Sequence, residues 1–190
     1  RPSAHVPLPG PHLTYDMSIY AIKALIILDN QGNRVLSKYY QFDGRLNTKE
    51  EQLAFEKTLF AKTGRQKAEI ASLDKYTAVY RNTVDVNIYV IGLADENELI
   101  LLNVLNVAVE AISTLLRDRV DKRAVIDNVD YVFLTFDELV DDGIVLETDA
   151  KAIVTRVALK SNDQDSVGEQ TIADAVNSIR EQAKSLMSGR

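Results

Sequence analysis

A helical segment in the middle of the chain, residues 97–120, is apolar on two sides. On a helical wheel at about 100° per residue, its polar side chains collect in one stripe roughly 100° wide, in which Leu99 is the exception. The polar stripe consists of Asn103, Asn106, Glu110, Ser113, Thr114 and Arg117. The apolar flanks consist of Ile100, Val104, Val107, Ala111 and Leu115 on one side and Leu101, Leu105, Ile112 and Leu116 on the other. Because a surface helix is normally apolar on one face, this helix must be covered on two sides.

Either the chain's own later segments, residues 129–142 and 149–160, or a partner surface can cover the second flank. The helix predicted over residues 48–62 also carries two apolar stripes, and no leftover segment obviously covers its second one. Its first stripe is Leu46, Leu53 and Phe60, and its second is Phe55 and Leu59. An uncovered apolar patch of this kind marks an interface. The sequence therefore favours a partner, with these predicted contacts: Phe55, Leu59, Leu101, Leu105, Ile112 and Leu116.

Several short segments have the composition of β-strands. They cover residues 19–28, 34–42, 67–73, 76–81 and 84–93. The first is apolar on both faces, so it is expected to be buried on both sides of a sheet. One of its faces carries Ile22, Ala24, Ile26 and Leu28, and the other carries Leu25 and Ile27. A turn signal at residues 29–33 joins the first two strands into a hairpin, and two-residue connections join the last three as antiparallel hairpins.

The remaining segments favour helices. Asn47 or Thr48 can cap the helix over 48–62, and Gly64 ends it. A short helix is predicted over 121–127. The segment 129–140 fits a strand or a helix, and we favour a helix that continues to residue 142 and is broken by Gly143. A helix capped by Thr148 or Asp149 continues through residue 159. Strands joined by tight hairpins, with helices grouped around them, predict an α+β domain with a five-stranded antiparallel sheet flanked by helices.

The folded domain is predicted to span residues 17–160. Residues 1–16 contain all four prolines and both histidines, and we interpret them as a disordered extension or cloning remnant. Residues 161–170 are polar and are expected to form a linker in the C-terminal segment 161–190. An amphipathic helix is predicted over 171–187, with these apolar residues on one face: Ile172, Val176, Ile179, Ala183 and Leu186.

The composition argues against several classes of function. The formal net charge is -6 and the isoelectric point is about 5.0, so nucleic acid is not an expected partner. The chain has no cysteine, which excludes disulfides and thiol nucleophiles. It has no Asn-x-Ser/Thr sequon and no apolar run near the roughly 20 residues that span a bilayer. These features are typical of a cytosolic protein.

No catalytic constellation is found, and we expect no enzyme activity, cofactor or metal. Both histidines lie in residues 1–16, and no glycine-rich phosphate-binding motif is present. The one acid-rich stretch consists of Asp137, Glu138, Asp141, Asp142, Glu147 and Asp149. Its carboxylates leave a metal-assisted hydrolase as a remote alternative, but a solvated helix end followed by a helix cap is the favoured interpretation. Acids at a helix C-terminus oppose the helix dipole, and a basic partner surface would relieve that cost.

Several segments, in order and spacing, are similar to those of a known family. They are Ile22–Asp29 with Lys38-Tyr39-Tyr40, Phe55-Glu56-Lys57, Tyr89-Val90-Ile91-Gly92, Glu96-Asn97-Glu98-Leu99, Val104-Leu105-Asn106 and Asp137–Asp149. Over about residues 19–160 the chain resembles the zeta subunits of coatomer, which are similar to the sigma subunits of clathrin adaptors. A clathrin-adaptor sigma subunit and a free-standing longin domain are the alternatives within the same fold.

The resemblance implies a longin-like fold and a structural role without an active site. It implies a 1:1 heterodimer with the gamma-coatomer large subunit, within the membrane-proximal part of the heteroheptameric coat. An ADP-ribosylation-factor GTPase recruits that coat, so membrane association would be peripheral and the GTPase an indirect partner. The implied location is the cytoplasm, Golgi membranes and coated vesicles, in Golgi-to-ER and intra-Golgi transport.

One family property does not carry over on the residues. Sigma subunits help to read acidic dileucine signals through a basic residue just before a Leu-Ala-Lys sequence. The matching triplet here is Leu36-Ser37-Lys38, and Val35 precedes it. Arg34 lies one position earlier, which on a strand points to the opposite face. The sequence therefore gives no support for dileucine recognition.

Overall fold

The central feature of the fold is a five-stranded antiparallel sheet. A computed structural model describes residues 21–40, 46–64 and 69–162. In chain order the strands are β1 (Ala24–Asp29), β2 (Arg34–Tyr39), β3 (Ile70–Leu73), β4 (Tyr76–Asn82) and β5 (Val86–Leu93). Their spatial order is β2-β1-β5-β4-β3, and every neighbouring pair is antiparallel. The predicted number and orientation of the strands are confirmed.

Strand β1 is buried on both faces, as its sequence predicts. Its side chains divide between two apolar clusters, one on each side of the sheet. Ala24, Ile26 and Leu28 belong to one, and Leu25 and Ile27 to the other. Ile22 was expected on the same face as Ala24 but lies in the cluster of Leu25, because it precedes the first residue of the strand. Two clusters on opposite faces require helices on both sides of the sheet.

The described part of the chain forms five helices, two of which cover the faces of the sheet. The five are α1 (Lys49–Thr63), α2 (Glu98–Leu115), α3 (Lys122–Asp127), α4 (Val129–Leu139) and α5 (Ala150–Asn162). Helix α1 packs on one face through Leu59, and α2 packs on the other against β4 and β5. Thr48 caps α1 in a capping box with Glu51, and Gly64 follows its last turn, as predicted.

Helix α2 is covered by the chain's own later helices. Helices α4 and α5 both pack against it on the side away from the sheet, so α2 lies between two layers. Its length and mean hydropathy of 1.6 over 18 residues would allow a membrane span. In this fold the apolar composition instead reflects burial on two sides. The partner surface favoured from the sequence is therefore not needed to explain its second flank.

A small hairpin follows α4 where a continuous helix through residue 142 was predicted. Helix α4 ends at Leu139, and the two-residue strands β6 (Val140–Asp141) and β7 (Ile144–Val145) follow. Asp142 and Gly143 connect them, with φ angles of 45° and 83°. Two successive residues at positive φ form the tight turn that antiparallel strands prefer, which ends the helix early. The predicted tail helix over 171–187 and the N-terminal segment 1–16 lie outside the described residues.

Candidate functional site

The six predicted partner contacts do not form one surface. Leu59 and Phe55 lie on the α1 side of the sheet, where Phe55 is half-buried with its ring 5.4 Å from that of Tyr76. The other four side chains lie on the α2 side: Leu101, Leu105, Ile112 and Leu116. All except Phe55 are 5% exposed or less.

Own-chain packing accounts for the burial of these side chains. Helix α2 lies between the sheet, where Leu101 packs against Gly92 of β5, and helices α4 and α5, and the second stripe of α1 faces the sheet. A partner could touch the five buried side chains only if these layers separated. Among the described residues, an accessible apolar surface must be formed by other side chains.

The outer side of α3 and α4 carries such a surface. Val129 and Phe133 are spaced by four residues on α4, which places them on one helix face. They are 38% and 39% exposed, and Ile126 at the end of α3 is 51% exposed. Sequence reasoning missed this face, because apolar residues are normally assigned to the core.

Three of the six acids in the acid-rich stretch form ion pairs with bases of the same chain. Lys38 on β2 forms an ion pair with Asp137, and Arg156 and Lys160 on α5 form ion pairs with Glu138. These bases offset the unfavourable position of the two acids at the C-terminal end of α4. The basic surface expected to relieve that cost is thus partly intramolecular.

Glu147 has a local structural role in the same stretch. Its carboxylate accepts hydrogen bonds from the backbone N–H groups of Asp149 and Thr148, and Arg156 lies 2.9 Å away. These hydrogen bonds, together with Arg156, lower its pKa. Asp149 accepts from the N–H of Lys151 at the start of α5. No group of three metal-ligating side chains is placed for an ion within the described ranges, so the geometry gives the hydrolase alternative no support.

The middle of this stretch is different. Asp141 and Asp142 are exposed and form no ion pair with any described residue. Burial raises the pKa of Tyr40, and the negative charges of Asp137 and Asp141 raise it further. The Tyr40 hydroxyl donates a hydrogen bond to the carbonyl of Val140. The C-terminal end of α4 and the following hairpin therefore keep an excess of negative charge on their surface.

Arg34 is held inside the fold. Leu28 pairs with Arg34 while Ile27 pairs with Leu36, so Val35 is an extra residue in a β-bulge. The Arg34 Nε donates to both oxygens of Glu56 on α1, at 2.9 and 3.0 Å. Glu56 is 1% exposed. Arg34, the basic residue that precedes the Leu36-Ser37-Lys38 triplet, is thus neutralised by a buried carboxylate.

An open groove separates α1 from the β3–β4 turn. Its volume is about 270 Å³, and its lining consists of Ala54, Phe55, Thr58, Leu73, Asp74, Lys75 and Tyr76. The walls are mainly apolar, and the single acid and single base leave no net charge. The groove therefore has no chemistry that selects a ligand class.

Comparison with known sequences places these features in a family. The sequence model of the clathrin adaptor complex small chain matches residues 21–164. Human coatomer subunit zeta-1 is 44% identical over 172 residues, which cover 90% of this chain and 96% of that protein. Mouse coatomer subunit zeta-2 is 42% identical over 167 residues, covering 88% and 80%. Coatomer subunit zeta-1 of Arabidopsis thaliana is 42% identical over 172 residues, covering 87% and 96%.

Comparison of structures gives the same fold. A chain of a homology model of the full-length AP-3 complex in a stretched open conformation aligns with a TM-score of 0.58. The alignment covers 75% of this chain and 94% of that chain, at 20% identity. This likeness shows the longin-like fold of adaptor small chains.

Proposed function

Because the chain belongs to the family of clathrin adaptor small chains and coatomer zeta subunits, and is thus an adaptor-like coat subunit, we propose that it pairs with the gamma-coatomer large subunit. The pair would be a 1:1 heterodimer within the membrane-proximal part of the coat. The observation that carries this proposal is the 44% identity to a coatomer zeta subunit over nearly the full length of both chains.

The proposed role is structural rather than catalytic. The acid-rich stretch is used for ion pairs and helix capping, as the contacts of Glu138 and Glu147 illustrate. The groove beside α1 contains no nucleophile paired with a base. Both features support a scaffold whose function depends on the partners it holds.

The proposed setting is the cytoplasmic face of Golgi membranes. There the coat would be recruited by an ADP-ribosylation-factor GTPase, which this chain meets only through the complex. The family resemblance of the sequence supports this setting, together with transport from the Golgi to the ER and within the Golgi. The acidic net charge of -6 agrees with membrane association through a partner rather than direct adsorption to anionic lipid.

Co-expression tests the pairing directly. The full chain should co-purify at 1:1 stoichiometry with the gamma-coatomer large subunit, through an interface of more than about 2,000 Å². A clathrin-adaptor large chain and a SNARE protein serve as competing baits. Capture by the adaptor chain alone would favour the sigma-subunit alternative, and capture by the SNARE alone would favour a free-standing longin domain.

A further inference from the structure

We propose that the outer ridge of α4 is the surface that docks the large coat subunit, and that its counterpart there carries apolar and basic side chains. The outer ridge is defined as Ile126, Val129, Phe133, Asp137 and Asp141. Its apolar half is Ile126 near the end of α3 with Val129 and Phe133 on α4, and its acidic half is Asp137 on α4 with Asp141 in β6. The inference rests on the proposed function and adds the location and chemistry of the contact.

The apolar half is formed by exposed side chains of α3 and α4. Phe133 lies four residues after Val129 on one face of α4, and Ile126 lies near the end of α3, before the non-helical Asn128 that separates the two helices. Each is more than one-third exposed although its neighbours Val125, Val132 and Phe136 are buried. Aromatic side chains are enriched at protein interfaces, so an exposed Phe133 beside two aliphatic side chains is suited to contact a partner.

The acidic half selects the charge of the partner. Asp137 follows Phe133 by four residues on the same face of α4, and Asp141 and Asp142 add exposed carboxylates in the hairpin after the helix. Lys38 neutralises Asp137, but neither Asp141 nor Asp142 has an ion-pair partner among the described residues. The carbonyl end of the α4 dipole adds negative potential at the same place. A lysine or arginine from a partner would relieve this excess, whereas an acidic partner would be repelled.

Two other exposed apolar sites differ from the ridge in their charge. Leu99 is 72% exposed at the start of α2, and Val84 is 85% exposed in the β4–β5 turn. Leu99 follows the acids Asp95, Glu96 and Glu98, but these lie at the N-terminal end of α2, where the helix dipole favours negative charge, whereas the acids of the ridge lie at and beyond the C-terminal end of α4. Leu99 and Val84 therefore provide matched positions at which the same change should leave binding intact.

The apolar half is tested with the complex of the full chain and the gamma-coatomer large subunit. Phe133→Ser should weaken binding at least about tenfold, because it removes an interfacial aromatic ring. Ile126→Ser, at a more exposed position, should weaken it several-fold without a change in thermal midpoint. Leu99→Ser is the control and should bind like the wild type. Affinity is measured by titration of purified partners, and folding by circular dichroism.

The charge of the counterpart is tested by reversal. Asp141→Lys should weaken binding and reduce its dependence on salt, because the attraction to a basic surface is lost. Asp95→Lys reverses an exposed acid elsewhere and should change neither quantity. If affinity and salt dependence are unchanged in Asp141→Lys, the proposal that the partner surface is basic is overturned.

The outcomes separate this inference from the function it rests on. Wild-type chain that fails to bind gamma-coatomer would overturn both. Wild-type binding together with full binding by folded Phe133→Ser and Ile126→Ser would overturn the ridge alone. Equal losses in Leu99→Ser and in the ridge variants would also overturn it, because the effect would then not be specific to α4.

Discussion

The ammonium group of Lys122 lies 2.9 Å from the carboxylate Oδ2 of Asp29, and this contact joins two distant parts of the chain. Asp29 is 3% exposed at the end of β1, and Lys122 is the first residue of α3. The carboxylate also accepts hydrogen bonds from the backbone N–H groups of Gln31 and Asn33. The backbone N–H of Lys122 donates to Asp85 in the β4–β5 turn. Three connections are thereby fixed at one end of the sheet.

This arrangement predicts a pH-dependent contribution to stability. Burial acts to raise the pKa of Asp29, but hydrogen bonds from Lys122, Asn33 and Gln31 outweigh it and hold the pKa well below its usual range. The unfolded carboxyl takes up a proton below about pH 4, whereas the folded one does not, so stability is lost as the pH falls. We expect Asp29→Asn to lower the free energy of unfolding by about 2 kcal/mol at pH 7.

The difference in free energy of unfolding between wild type and Asp29→Asn should shrink as the pH falls from 5 to 3. Urea unfolding at each pH would measure it. Asp95→Asn, at an exposed position, is the control and should be neutral. A difference that stays constant over this pH range would contradict the assigned role of the charge.

Gly32 predicts a second site of sensitivity, in the β1–β2 turn. Its φ angle is 81°, and a Cβ atom there would lie 2.6 Å from Cδ1 of Phe60 on α1. Gly32→Ala should therefore lower the free energy of unfolding by about 2 kcal/mol, from backbone strain and from the clash. In a Phe60→Ala background, Gly32→Ala should cost less free energy of unfolding, and the reduction measures the part of the loss that is due to the clash. Additive losses in this double-mutant cycle would show that the ring makes no contribution.

Much of the fold was predictable because strand patterns are local. The alternation along β1 fixes which side chains lie on each face, and the short connections leave only antiparallel pairing for β3, β4 and β5. The polar stripe of α2 was predictable for the same reason, since Asn103, Asn106 and Glu110 are exposed. An apolar pattern with a period of two or of 3.6 residues identifies the buried face of a strand or a helix without knowledge of distant segments.

The cover of α2 was not predictable in this way. Whether its second flank meets α4 and α5 or a separate chain depends on tertiary arrangement, which hydrophobic periodicity does not encode. The pairing of Glu138 with Arg156 and Lys160 depends on the same packing. The outer ridge was missed because its side chains are apolar yet exposed, and a sequence alone assigns such residues to the core.

Leu105, one of the six predicted partner contacts, is expected to stabilise the fold of the isolated chain because it is buried. Leu105 is 1% exposed, whereas Leu99, in the same helix, is 72% exposed. Leu105→Ala should cost about 3 kcal/mol of stability, and Leu99→Ala should change it by less than about 0.5 kcal/mol. Chemical denaturation of the isolated chain would measure both. Equal and small effects would show that Leu105 is not buried in solution.

Tyr80 and Tyr89 form a matched pair for testing buried hydroxyl groups. Their rings stack with centroids 5.5 Å apart, and both are 2% exposed or less. The Tyr89 hydroxyl lies 2.9 Å from that of Thr63, whereas the Tyr80 hydroxyl has no hydrogen-bond partner in the described part of the chain. Tyr89→Phe should cost about 1 kcal/mol, and Tyr80→Phe should be neutral or stabilising. A larger loss in Tyr80→Phe, measured by thermal unfolding, would contradict this assignment.

Buried tyrosines predict the alkaline limit of stability. Burial raises the pKa of Tyr39, Tyr40, Tyr80 and Tyr89, and the carboxylate of Glu56 adds to the effect on Tyr39. An unfolded tyrosine loses its proton near pH 10, whereas these four keep theirs, so stability is complete below that pH and is lost as the pH rises above it. Absorbance at 295 nm should therefore show that the four ionise together with unfolding, followed in parallel by circular dichroism. Complete ionisation of all tyrosines near pH 10 without loss of circular dichroism would contradict their burial.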